Sequence, residues 1–330
     1  MKKIAVVILN WNGVKLLEQF LPSVMLYSPE ATIYLADNAS TDSSIEFVKT
    51  NYPDIKIIQN EGNFGYAQGY NVALQHVEEP YFCLLNSDVE VTENWLKPIL
   101  EIFEKEKNVA IIQPKILDFK NKSLFEYAGA AGGFIDKYGY PYCRGRIFET
   151  VEKDNGQYND FYEIFWASGA CFFIRKEVFN RLGGFDESFF AHQEEIDLCW
   201  RSKNAGYKTY YTFQSIIFHV GGATLKESNP KKAFLNFRNS LLMLVKNLPE
   251  GKILPIIFTR LFLDGIAGIQ FILKGKFSHC WAIIKAHFHF YHLLNKYLKK
   301  RTNNQTESYF KTNSIVYNYF IKGGKVFEEN

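Results

Sequence analysis

A chain of 330 residues with 47% hydrophobic and 17% aromatic content can hold one large domain with an appendage, or two domains. Its five cysteines are odd in number, widely spaced and without a Cys-x-x-Cys, which argues against a disulfide framework or zinc ribbon and favours a reducing compartment. The net charge of +3 conceals a change of sign: residues 1–225 carry 21 Lys and Arg against 29 Asp and Glu, residues 226–311 carry 15 against 4. A catalytic part joined to a segment that meets an anionic surface is expected from that asymmetry.

Lys2 and Lys3 before Ile4–Leu9 faintly resemble a signal peptide. The apolar run is short, however, and ends in Asn10-Trp11-Asn12-Gly13 without a cleavage site, so it reads as a buried first strand. Strand-like runs follow at Thr32–Ala36, Ile55–Ile58, Tyr81–Leu85 and Val109–Ile112. Helical patterns fall between them near residues 14–26, 42–50, 66–77 and 92–106. The alternation implies an α/β fold, a parallel sheet with helices on both faces, whose ligands bind beyond the carboxyl ends of the strands.

Polar clusters stand at those ends. Asn10-Trp11-Asn12-Gly13 follows the first strand and Asp37-Asn38-Ala39-Ser40 the second. Asn60-Glu61-Gly62-Asn63-Phe64-Gly65 follows the third and Asn86-Ser87-Asp88 the fourth. One such cluster is ordinary turn chemistry, but four on one edge predict a site. A G-x-G-x-x-G after the first strand is missing, Gly62, Gly65 and Gly69 are misspaced for it, and there is no P-loop. Trp11 beside amide side chains suits a stacked, hydrogen-bonded base, and Asp37 can accept from a pyrimidine imide N–H. Asp88 suits a divalent cation on a diphosphate, because hard cations prefer carboxylate oxygen.

Further on, Gly183-Gly184 leads to Glu194-Glu195-Ile196-Asp197-Leu198-Cys199-Trp200-Arg201. Ile196, Cys199 and Trp200 form a core-facing stripe, and Asp197 with Arg201 is an i, i+4 ion pair. Glu194 and Glu195 then lie in the first turn, where the helix dipole favours the ionised carboxylate that a general base requires. The competing reading is plain charge complementarity on a surface helix.

The basic segment is also apolar. Leu254–Leu273 is long enough to cross a bilayer, yet Arg260 and Asp264 sit in its middle and would each cost about 2.5–3.5 kcal/mol at the bilayer centre. A second run, Trp281–Phe288, precedes Lys296, Lys299, Lys300 and Arg301. In-plane helices on an anionic membrane, with no nucleic acid, are the expectation. A helical hairpin packed on its own domain is the alternative.

Together these motifs resemble a family 2 glycosyltransferase. The resemblance rests on Ile8-Leu9-Asn10-Trp11-Asn12-Gly13, Asp37-Asn38-Ala39-Ser40-Thr41-Asp42, Asn60–Gly65, Leu85-Asn86-Ser87-Asp88-Val89 and Gly169-Ala170-Cys171-Phe172-Phe173-Ile174-Arg175, and covers roughly residues 3–245. It is greatest to bacterial rhamnosyltransferase-like enzymes of surface-polysaccharide assembly. The segment with Arg260-Leu261-Phe262-Leu263-Asp264-Gly265 is similar to the membrane-associated tail of some members. The fold implied is GT-A, with a mainly parallel central sheet and a C-terminal α-helical membrane-associated extension. Residues 1–245 would be the catalytic domain and 246–330 the basic helical extension.

The resemblance implies roles for single residues. Asn10, Trp11, Asn12, Asp37, Asn38, Ser40, Asn60, Gly65, Asn86 and Ser87 would hold the nucleotide of a nucleotide-sugar donor. Asp88 and His219 would bind Mg2+ or Mn2+, and Arg238 would steady the departing diphosphate. Glu195 would be the base with Glu194 its rival, and Gly169 and Ala170 would face the sugar or the acceptor. Asn86 replaces the first aspartate of the family's D-x-D, and Glu195 replaces the usual aspartate. One base without a positioned nucleophile implies a single displacement with inversion. The acceptor would be a glycan or a polyprenyl-diphosphate-linked sugar, at the cytoplasmic face of the plasma membrane. A nucleotidyltransferase and a non-catalytic nucleotide-sugar-binding module are the alternatives; a processive synthase would need a bundle of spanning helices.

Overall fold

The computed structural model describes residues 2–221 and 229–328, so Gly222, Ala223 and Thr224 after His219 lie outside the described residues. The expected alternation is present: β1 (Ile4–Asn10), α1 (Val14–Tyr27), β2 (Ala31–Asp37), α2 (Ser44–Asn51), β3 (Lys56–Gln59), α3 (Gly65–Leu74) and β4 (Tyr81–Asn86). Then come β5 (Val89–Val91), α4 (Lys97–Lys105) and β6 (Val109–Asp118). Four short strands, β7 (Gly133–Ile135), β8 (Pro141–Cys143), β9 (Arg146–Ile147) and β10 (Thr150–Val151), form a second sheet in a stretch without readable periodicity. The chain returns to the main sheet through β11 (Phe161–Ile164) and β12 (Cys171–Arg175). After α5 (Lys176–Arg181) and α6 (Glu194–Asn204) comes β13 (Lys208–His219). Four helices follow: α7 (Pro230–Asn247), α8 (Ile253–Leu273), α9 (Phe277–Lys299) and α10 (Ile315–Phe320).

The main sheet runs β11-β13-β6-β12-β4-β1-β2-β3, with β5 on β13. β3, β2, β1 and β4 are parallel, as is β13 to β6, whereas β12 runs antiparallel between β4 and β6. Its sequence, Cys171-Phe172-Phe173-Ile174-Arg175, is buried on both faces, and such a run carries no sign of its direction. Alternate β1 residues feed two cores. Ala5 and Val7 join Tyr70, Phe172 and Trp200, while Ile4, Val6 and Ile8 join Leu17, Trp95 and Phe103. Helices therefore cover both faces, and the carboxyl ends of β1, β2 and β4 are left to build a site.

The expected boundary between residues 245 and 246 falls inside α7, and the chain beyond it shares the first core. Leu248, Ile256, Phe290, Tyr297 and Tyr309 all belong to that cluster. Farther on, Ile315 N–H donates to Asp136 (3.0 Å), and the Phe327 ring lies 5.4 Å from that of Phe134.

The charges within α8 are explained by its inner face. Arg260 and Asp264 are 3% and 0% exposed. Arg260 donates to the Tyr138 carbonyl (2.8 Å) and Ser240 Oγ (2.9 Å), lies over the Tyr140 ring and sits 3.7 Å from Asp264 Oδ1. Replacing Asp264 with Ala leaves that guanidinium buried without its counter-charge. Asp264→Ala should therefore destabilise the fold by about 3–5 kcal/mol. Urea denaturation checks this, and an unchanged midpoint would contradict it.

The outer face of the same hairpin is apolar and open. Leu254 (83%), Phe258 (76%), Phe262 (66%), Phe277 (66%) and Phe288 (70%) are exposed, with Trp281 beside them. Lys274, Lys276 and Lys285 are exposed along it. Glu250–Leu273 is long and apolar enough to cross a bilayer, with mean hydropathy 1.7. The buried Arg260–Asp264 pair instead fastens one side of that helix to protein.

Candidate active site

The turns after β1 and β2 close on each other through polar side chains. Asn10 Nδ2 donates to Asp37 Oδ1 (2.9 Å) and Ser40 Oγ (3.1 Å), while Ser40 donates from N–H and Oγ to the Asp37 carboxylate at 2.8 and 2.6 Å. Asn12, at φ 50°, accepts from Thr41 N–H (2.7 Å) and donates its own N–H to Ser40 Oγ (2.8 Å). Gly13 is required here, because a Cβ would fall 2.4 Å from Asn10 Oδ1. A second layer lies behind: Asn60 Nδ2 donates to Asn38 Oδ1 (2.7 Å), and Asn38 Nδ2 to the Gly65 carbonyl (2.9 Å).

This geometry sorts the ten nucleotide candidates. Trp11 is 52% exposed and offers a free ring face for stacking, with Asn12 exposed beside it. Ser40, Gly65, Asn86 and Ser87 are half-buried on the same edge. Asn10, Asp37, Asn38 and Asn60 are buried and hydrogen-bonded to neighbouring turn residues. The expected contact of Asp37 with a base is thus corrected. Its carboxylate is fully buried and taken up by Asn10 and Ser40, so it shapes the cradle from behind.

Asp88 and His219 meet as expected. β13 pairs with β5 so that His219 stands opposite Val89, and His219 Nε2 lies 3.1 Å from Asp88 Oδ1. Sequence reasoning missed the third member, Glu126, whose Oε1 is 3.2 Å from His219 Nδ1. It lies in a loop where no motif signalled it. Burial works against charging His219, but the two carboxylates outweigh it and push its pKa up to about 10. A carboxylate oxygen and an imidazole nitrogen on one edge fit Mg2+ or Mn2+ provided that the cation displaces the Nε2 proton on binding. Among the described residues no three His, Cys, Asp or Glu side chains converge on one point.

The α6 carboxylates have separate environments. Glu194 is 4% exposed, and burial with neighbouring Glu195 holds it well above the usual carboxylate range. Glu195 is half-buried, and desolvation pushes it up to about 7, the range suited to a general base at neutral pH. Glu194 is the more buried of the two, so Glu195 is the one that opens toward the cleft, and Glu194 remains its rival. Next to Glu195 lies Gly169, where a Cβ would sit 3.9 Å from the Glu195 carboxyl carbon and 3.3 Å from Tyr66 Oη. Ala170 instead buries its methyl in the second core, while its carbonyl accepts from Asn86 N–H (2.9 Å). The Gly169-Ala170 step thereby links the β4 edge to Glu195.

The loop that delivers α6 is strained, with Phe190, His192 and Gln193 at φ 64°, 71° and 74°. Two α7 residues hold it. Asn239 Nδ2 donates to the carbonyls of Phe189, Ala191 and His192 (3.1, 3.0 and 2.8 Å). Arg238 donates from Nη2 to the Ser188 and Phe189 carbonyls (2.9 and 3.3 Å) and from Nε to Asn239 Oδ1 (2.8 Å). Nε and Nη2 of Arg238 thus fasten the loop ahead of Glu195, while no hydrogen bond engages its Nη1 among the described residues, and the expected diphosphate role rests on that nitrogen. Behind the loop, Lys246 joins Asp186 (3.0 Å) and Asp197 (2.9 Å), and Lys300 also reaches Asp186 (2.7 Å).

Comparison with known proteins places this arrangement. Residues 5–183 match the profile of Glycosyl transferase family 2. N-acetylglucosaminyl-diphospho-decaprenol L-rhamnosyltransferase of Mycobacterium tuberculosis is 24% identical over 220 residues, 62% of this chain and 71% of that one. The fold is shared with GalNAc-T7, solved with UDP, GalNAc and Mn2+, at TM-score 0.56 and 20% identity over 73% of this chain and 48% of that one. It is also shared with S. aureus TarS 1–349, at TM-score 0.55 and 15% identity over 91% and 83% of the two chains.

Proposed function

Because this chain belongs to glycosyl transferase family 2 and is a glycosyltransferase of glycan or polysaccharide biosynthesis, we propose that it uses a UDP- or dTDP-linked sugar. The acceptor is a hydroxyl of a glycan or of a polyprenyl-diphosphate-linked sugar at the cytoplasmic face of the plasma membrane. The carrying observation is Glu195, a half-buried carboxyl raised to about 7 beside Gly169 on the rim of the cradle. The rhamnosyltransferase relative, whose name specifies a diphospho-decaprenol-linked acceptor, supports the lipid-linked choice.

In this reading Trp11 stacks on the base, and Asn12, Ser40, Asn86 and Ser87 line the sugar and phosphate path. Asp88 and His219 hold Mg2+ or Mn2+, which when bound offsets the charge growing on the departing diphosphate; the Mn2+ in the GalNAc-T7 structure supports this choice. Glu195 takes the proton of the acceptor hydroxyl as that oxygen attacks the anomeric carbon. One base with no positioned nucleophile beside it implies a single displacement with inversion. The outward faces of α8 and α9 bring the site to the lipid.

The test uses the full-length chain on anionic liposomes carrying a polyprenyl-diphosphate sugar, with UDP- and dTDP-sugars and Mn2+. An inverted glycosidic product is expected; neither transfer nor slow donor hydrolysis with any donor would sink the reading. Sedimentation with the same liposomes should fall steeply as salt rises, because each Lys or Arg near an anionic surface contributes about 1 kcal/mol. Phe258→Ser with Phe262→Ser should weaken it at every salt concentration. Full-length protein that ignores the vesicles at low salt would leave a soluble appendage instead.

A further inference from the structure

We propose that Asn239 is a positioning residue that aims Glu195 at the acceptor hydroxyl by holding the loop of residues 188–193 in its positive-φ course. The inference rests on the reading of Glu195 as the base.

Phe190, His192 and Gln193 stand at positive φ without being glycine, a course that a chain keeps only where its surroundings over-determine it. Here the loop's carbonyls do so. Ser188 and Phe189 accept from Arg238, Phe190 from Tyr66 N–H at the start of α3 (2.9 Å), and Gln193 from Asp197 N–H in α6 (2.9 Å). Ala191 and His192 remain, and among the described residues their carbonyls accept from Asn239 Nδ2 alone. Nδ2 has two hydrogens and shares them between these carbonyls and that of Phe189. Arg238 Nε donates to Asn239 Oδ1 from the other side, which fixes the way the amide faces, and Asn239 is fully buried. Gln193 then caps α6, and Glu195 is its second residue. Glu195 Oε2 has no hydrogen-bond partner among the described residues. Burial raises the Glu195 carboxyl, and the amides that oppose this, those of Glu195, Ile196 and Gln193, belong to its own turn. The carboxyl therefore points where the loop delivers its backbone, and Asn239 fixes that delivery.

A merely structural clamp makes different predictions, and a double-variant cycle on the full-length protein separates the two. With the donor and liposomal acceptor that support transfer by wild type, Asn239→Ala should lower kcat by about 10–100-fold, the cost of a misaimed group. Nucleotide affinity should stay near that of wild type, because the cradle is built from the turns after β1 and β2. Asn239→Asp keeps the shape and an acceptor for Arg238 Nε but has no donor for the loop, so it should lose kcat as Asn239→Ala does. Once Glu195→Gln has removed the base there is nothing left to aim. Adding Asn239→Ala to Glu195→Gln should therefore slow transfer no further, whereas general damage to the fold would multiply the two losses.

Circular dichroism melting shows which variants fold. A folded Asn239→Ala with wild-type kcat overturns the role, and so do losses that multiply in the double variant. Should Asn239→Ala fail to fold, Asn239→Asp carries the same test, since Arg238 lies beside the new carboxylate; wild-type kcat in that variant overturns the role equally. Transfer retained by Glu195→Gln removes the base reading together with this inference. Transfer lost in Glu195→Gln and kept in the Asn239 variants removes the inference alone.

Discussion

Glu195→Gln should lower sugar transfer by about 10²–10⁴-fold with nucleotide affinity unchanged, and the variant should be more stable than its parent at pH 8. The amide keeps the shape but accepts no proton. Stability moves the other way because burial raises this carboxyl from its ordinary value of 4.5 to about 7 in the fold. The stabilisation from its neutral form is complete below 4.5 and is lost as pH rises through about 7. At pH 8 the parent therefore carries a half-buried charge that the glutamine lacks, a difference of up to about 3 kcal/mol. The rate of the parent should rise with pH through the same range, since only the ionised form accepts the acceptor proton. Calorimetry at pH 5 and pH 8, nucleotide titration and initial-rate assays check these statements. Transfer retained here and lost in Glu194→Gln would move the role to Glu194.

Asp88→Ala should bring nucleotide affinity in Mn2+ down to the value measured with a chelator, a loss of at least about tenfold, or 1.4 kcal/mol. The variant removes the carboxylate that faces the cation and leaves His219 with Glu126 as its remaining acidic neighbour. His219→Ala should weaken binding less, because an imidazole supplies a lone pair without a charge. Titration calorimetry decides, and wild-type binding that is identical with and without chelator would reject the cation model.

Much of the parallel half of the sheet is legible in the sequence, because Ile4–Leu9, Thr32–Ala36 and Tyr81–Leu85 are apolar runs that end in Asn, Asp and Ser. The strand ends are short-range signals, and they fix which turns share an edge. Burial depth is not legible. Nothing in Asp37-Asn38-Ala39-Ser40 says that the aspartate turns inward to Ser40, and Arg238 looks like any cation until its partners are known to be the Ser188 and Phe189 carbonyls. Glu126 is invisible for a related reason. It lies 93 positions before His219 in a loop without periodicity, and only folding brings the two together. Arg260 and Asp264 stand out in the sequence as misplaced for a spanning helix, but their partners, Tyr138, Tyr140 and Ser240, belong to distant segments.

The far end of α9 bears on how such enzymes can be recombined. Tyr297 stacks on Phe189 with ring centroids 6.0 Å apart, Lys300 grips Asp186, and Arg301 donates to the Val245 and Leu248 carbonyls. The hairpin is thus not a detachable anchor, since cutting the chain at residue 250 would strip these contacts from the loop that presents Glu195. A chimera that borrows its lipid-facing helices from another chain must also import an aromatic at 297 and a cation at 300, or rebuild Phe189 and Asp186 to suit the newcomer. Interchange of whole tails therefore requires these pairs to travel together, whereas the outward residues of α8 and α9 can be exchanged singly.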